Sequence, residues 1–77
     1  MNYDLAIRAL EGLSASPLTT DAGESGIEIR GSGAAFRELA RLCLLLGNEE
    51  TSPGEAIELT VPMHLRDGSL PLKLELT

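Results

Sequence analysis

The side chains that could do chemistry are few, and their spacing does not gather them. His64 is the only histidine and Cys43 the only cysteine. No His-x-His or Cys-x-x-Cys spacing exists to hold a metal. Cys43 falls among apolar residues at helical spacing, where a cysteine behaves as a small buried hydrophobe and has no general base beside it. Alternation places His64 on the polar face of a strand with Glu58, Lys73 and Glu75, an acid–base group on a solvated surface, whereas catalytic groups need a recessed site. The serines and threonines sit in no Gly-x-Ser-x-Gly context. Calcium would want a spaced Asp/Asn ladder ending in Glu, which is absent. Together these exclude the common hydrolytic and metal chemistries, and no cofactor loop is present.

Two groups remain that could bind. Arg30, Gly31, Ser32 and Gly33 lie between a strand and a helix, where close backbone approach and free N–H groups can hold an anion. Neither a third glycine nor Gly-Lys-Ser/Thr follows, so this is no dinucleotide fingerprint or P-loop. The commoner reading of the same residues is a tight turn capped by Ser32. Glu49, Glu50, Glu55 and Glu58 lie in or beside one loop, and Glu24 and Glu28 in or beside a strand. Such a loop is either merely solvated or recognises a basic protein surface.

Charge bounds the partners. Twelve acidic residues stand against six basic ones, for a net charge of −6. Nucleic-acid binding rests on neutralising phosphates, and the only aromatic side chains are Tyr3 and Phe36. Direct binding to nucleic acid is therefore not expected. No run of 18 apolar residues exists to span a membrane. The start, Met1-Asn2-Tyr3-Asp4, lacks a basic n-region, and a lone cysteine fits a reducing compartment, so the expected location is cytoplasmic. Five of the six basic residues are Arg, a composition that suggests a bacterial source rich in G and C.

The 77 residues suffice for one domain. Fifteen leucines and four isoleucines supply its core. Residues 1–25 read as a helix and a connection, and 26–77 as the core. Tyr3, Ala6, Ile7, Leu10 and Leu13 share one helical side over 3–13, with Asn2 as cap and Gly12 near the stop. The competing strand reading would turn Tyr3, Leu5 and Ile7 inward. A short strand around 18–20 could interrupt the Ser/Thr/Gly/Pro-rich stretch that follows. Residues 26–30 alternate as a strand, with Ile27 and Ile29 on one face.

Helix 34–46 carries the stripe Phe36, Leu39, Ala40, Cys43 and Leu44, and Gly47 ends it. Leu42 and Leu45 fall on its back and need cover. The N-terminal helix could supply it through Ile7 and Leu10, which is the favoured reading because a tethered helix loses less entropy on docking. A symmetric dimer is the alternative. From Ala56 the period becomes two: strands 57–65 and 70–76 form a hairpin about Asp67-Gly68. A four-residue loop, Arg66 to Ser69, pairs Leu65 with Leu70 and keeps Pro62 and Pro71 off hydrogen-bonded sites, where they protect the edges.

The order strand, Gly31-Ser32-Gly33, Leu-rich helix, loop, then a hairpin with Asp67-Gly68-Ser69 and Leu72-Lys73-Leu74 resembles small bacterial immunity proteins of polymorphic-toxin systems, in particular immunity protein 32. The resemblance covers about residues 26–76. It implies a compact α+β domain without chemistry of its own that neutralises a cognate toxin by binding it. It fixes no functional residue.

The fold expected is α+β: a small, mainly antiparallel sheet of 26–30, 57–65 and 70–76, with a C-terminal β-hairpin and one principal helix on its apolar face. The function expected is a non-enzymatic protein-binding module. A basic toxin domain is its implied partner, and a homodimer is also open. The alternative is a small anion or metabolite binder using the turn at Gly31–Gly33.

Overall fold

A computed structural model describes all 77 residues. The elements run α1 (Tyr3–Ala15), β1 (Thr19–Gly23), β2 (Gly26–Arg30), α2 (Gly33–Leu46), β3 (Ala56–Leu59) and β4 (Leu72–Glu75). Two helices and two antiparallel ribbons make an α+β fold. The ribbons are β1–β2 and β3–β4, and no strand joins them into one sheet. The single sheet expected from 26–30 and the hairpin is thus corrected.

Each helix starts where its cap residue dictates. The Asn2 side chain accepts from the Leu5 N–H at 3.2 Å, and Ser32 Oγ from the Ala35 N–H at 3.1 Å. α1 continues past Gly12, and the Ser16 N–H closes it on the Gly12 carbonyl. Its buried residues are Ala6, Ala9 and Leu13. The two alanines and Gly12 make a thin flank that lets α2 approach. A Cβ on Gly12 would collide with the Glu38 side chain.

α2 is rotated from the expected stripe. It buries Ala35, Leu42 and Leu46, with Leu39 and Leu45 partly buried against the core. Phe36 is 42% exposed, Leu44 is 75% exposed, and Cys43 is exposed. The residues read as front face therefore lie outside or at its margin. Apolar residues cover this helix on every side but that of Arg37, Glu38 and Arg41, so sequence offers two competing rows, and packing against α1 selects the row through Leu42. Leu42 is fully buried within the chain, and Leu45 is partly buried. Leu10 joins that packing, whereas Ile7 is half exposed.

The C-terminal hairpin is shorter than its alternation suggests. Ile57 pairs with Leu74 and Leu59 with Leu72, so the register differs from the one built on Leu65 and Leu70. Pro62 has no N–H to donate, and the chain leaves the ladder before it. Residues 60–65 coil so that the His64 N–H donates to the Thr60 carbonyl at 2.8 Å, across a cis Val61–Pro62 bond. His64 and Leu65 are then buried together, which a strand with one solvated face does not do. Leu65 bridges to Leu18 in parallel fashion, and the Ser69–Leu70 segment hydrogen-bonds Thr20. This strap joins the start of β1 to the core of Leu13, Leu18, Ala35, Leu42, Leu59 and Leu65.

Candidate partner-binding surface

The β1–β2 ribbon leaves that core at Thr20. Thr20 is buried, and its hydroxyl donates to the Leu70 carbonyl. Beyond it, Asp21, Ala22 and Gly23 are exposed, as is every residue of β2. Register pairs Thr20 with Ile29, Ala22 with Ile27, and Asp21 with Glu28. One ribbon face therefore runs from buried Thr20 out along Ile29 to Ile27, which is 68% exposed. The other face sets two carboxylates side by side at Asp21 and Glu28. Arg30 pairs with Glu28 at 3.1 Å. The turn at Glu24-Ser25 adds a further acid at the tip.

Glu24 and Glu28 were visible in the sequence as a second acidic group. Asp21 was missed, because β1 reads from its composition as connection. The signal that finds it is the Gly23–Gly26 turn itself, which lets the preceding residues fold back on β2.

The loop acids divide. Glu49 and Glu50 are exposed in the turn after α2, and Glu58 is exposed on β3, directly across from Lys73. Glu55 is engaged inside the chain. It accepts from the Tyr3 hydroxyl at 3.1 Å, from the α-amino group of Met1 at 3.3 Å and from the Ser52 N–H. The Ser52 N–H is the foremost reason its carboxyl is held below the usual 4.5, with Tyr3 and the amino group adding to it. Its own hydrogen bond to Glu55 raises the Tyr3 phenol above 10.0. Glu55 thus ties the β3 approach to α1.

Arg30, Gly31 and Ser32 line a polar cavity of about 430 Å³ that also contains Arg66. Arg66 is in none of the chain's ion pairs. Two of the four turn residues have structural tasks here. Ser32 caps α2, and Gly31 packs so closely that a Cβ would stand 2.7 Å from Leu18 Cδ2 and 3.1 Å from Ala35 Cβ.

His64 is buried, so the expected solvated face is corrected. Its Nδ1 accepts from the Thr60 N–H at 3.2 Å, and burial pushes its pKa below 6.5. The imidazole acts as a neutral acceptor that closes a turn. Cys43, expected inside, is outside. Nowhere do His, Cys, Asp and Glu side chains gather in threes. No helix is long and apolar enough to cross a membrane. No family model, curated protein or solved structure matches the chain.

Proposed function

We propose that the chain is a non-catalytic, cytoplasmic protein-binding module that engages a basic protein through the β1–β2 ribbon. The observation that carries this reading is the ribbon's exposure along all of β2, with Ile27 and Ile29 on one face and Asp21 and Glu28 on the other. Burying an isoleucine is worth about 1.5–3 kcal/mol. A small domain has only about 5 kcal/mol or somewhat more in total. Leaving such side chains in water, next to paired like charges, makes sense if a partner covers them. The partner's chemistry follows: an apolar patch flanked by Lys or Arg. Glu49, Glu50 and Glu58 would add long-range attraction for the same partner.

The resemblance of residues 26–76 to immunity proteins gives that partner a class, a toxin domain encoded beside this chain. Co-expression tests it. Growth should be rescued when the neighbouring toxin is produced together with this protein, and should fail with an Ile27→Ser/Ile29→Ser variant. Rescue by that variant would remove the ribbon from the interface.

A second reading has its own observation, the meeting of Arg30 and Arg66 in one polar cavity. It makes the chain an anion binder. A rise in melting temperature with inorganic phosphate, abolished by Arg66→Ala, would favour it over the first.

A further inference from the structure

The outer edge of β4 is open, and its sequence is complementary to itself. The Leu76 N–H donates to the Glu55 carbonyl at 3.0 Å, and the Leu76 carbonyl accepts from Gly54 at 2.7 Å. Antiparallel ladders alternate, so Leu74 and Leu72 also turn their backbone groups toward β3. Lys73 and Glu75 then turn theirs away from it, and neither takes part in any backbone bond outside the ladder. An uncovered row of this kind is a template for another strand.

Leu72-Lys73-Leu74-Glu75-Leu76 reads alike from either end, with Lys and Glu exchanging places. We propose that two copies of this chain join through β4, antiparallel about a two-fold axis at Leu74. Leu74 then faces its mate, and Lys73 of each copy faces Glu75 of the other. These outward-turned positions exchange backbone hydrogen bonds in both directions. Moving the register by one pair either way opposes Lys73 to Lys73 or Glu75 to Glu75. The first shift also asks Pro71 for an N–H. Charge and proline together therefore select one register. Self-pairing of β2 about its centre would instead oppose Glu28 to Glu28.

The joined ribbons form one four-stranded sheet with Leu72, Leu74 and Leu76 of both copies on a single face. These leucines are only partly buried in one chain. A shallow groove lined by Cys43, Leu46, Leu74 and Leu76 runs between α2 and β4. It lies at the two-fold seam, so the flank of α2 that carries exposed Cys43 and Phe36 turns toward its counterpart. Cys43, which the sequence assigns to a sheet-facing stripe, gains such a sheet from the second copy.

Sedimentation over a dilution series, with a Glu75→Pro variant alongside, tests the proposal. The Glu75 N–H is not used by β3, so proline there leaves the β3–β4 ladder intact. It removes the intermolecular donor together with the carboxylate that faces Lys73 of the other copy and pairs with Lys73 of its own chain at 3.2 Å. The native chain should reach twice the monomer mass as concentration rises to about 100 µM, by mass action. Glu75→Pro should remain monomeric with a native circular-dichroism spectrum. Should that variant unfold, a short bis-maleimide on the native protein decides, since Cys43 should link to Cys43 with a yield that falls on dilution. A native chain that stays monomeric overturns the proposal. So does a dimer that survives Glu75→Pro, and so does an absence of Cys43 cross-links.

Discussion

Asp21 and Glu28 stand directly opposite each other across the β1–β2 ribbon, both exposed. Like charges in that position destabilise a ribbon, and Arg30 offsets the pair only from one side. Reversing one charge should therefore strengthen the fold. Asp21→Lys is expected to raise unfolding free energy by about 0.2–1 kcal/mol in urea titration. It should also slow association with a basic partner. A variant less stable than the native chain would contradict the placement of Asp21 beside Glu28.

The rotation of α2 has a direct mutational signature. Leu42 is fully buried, while Leu44 is 75% exposed. Leu42→Ala should cost about 2–5 kcal/mol, because it leaves a cavity among α1 and α2 side chains. Leu44→Ala should stay within about 0.5 kcal/mol of the native chain. Equal losses, or the reverse order, in paired denaturation curves would restore the stripe through Phe36 and Leu44.

These outcomes mark where the sequence was legible. Asn2 and Ser32 start their helices as their types require, and Gly23–Gly26 and β3–β4 carry readable turn and alternation signals. Leu42 and Leu44 were ambiguous, since both lie on a helix that is apolar almost all round. What decides between them is α1, whose Ala6, Ala9 and Gly12 flank admits α2 on that side. His64 was misplaced for a different reason. Its strand alternates correctly through Leu59 and leaves the ladder before Pro62, but only the strap from Leu65 to Leu18, a contact distant in sequence, shows why the segment beyond is buried.

Acid should weaken the fold in two separate steps. Burial holds the His64 pKa below 6.5, so the folded state prefers the neutral ring. The stability this gives is present above 6.5 and is lost as pH falls through the lower folded value. Glu55 is held below 4.5, so its contribution is full above 4.5 and is lost as pH falls further. Melting temperatures should decline first below pH 6.5 and again below 4.5. His64→Ala should remove the upper step and cost about 1–3 kcal/mol, since the Thr60 N–H loses its acceptor. Glu55→Gln should flatten the lower step. An upper step retained in His64→Ala would contradict the buried imidazole.

The turn at Gly31–Gly33 should respond unequally to alanine. At Gly31 the added Cβ meets Leu18, which is fully buried and has no room to retreat, for a cost of about 1–3 kcal/mol. At Gly33 it meets only the Arg37 guanidinium at 3.3 Å, the end of a flexible side chain. Gly33→Ala should be near neutral in the same denaturation assay. A neutral Gly31→Ala would mean that the turn does not close over Leu18.

Isothermal titration of the proposed partner, a basic toxin domain, into this protein tests the central claim most directly. The native chain should bind it tightly, and Ile27→Ser/Ile29→Ser should weaken binding at least tenfold, about 1.4 kcal/mol. Ile27→Ser alone should weaken binding while hardly changing the melting temperature, because Ile27 is 68% exposed in the free protein. No heat of binding with the native chain, or equal affinity in the double variant, would contradict it.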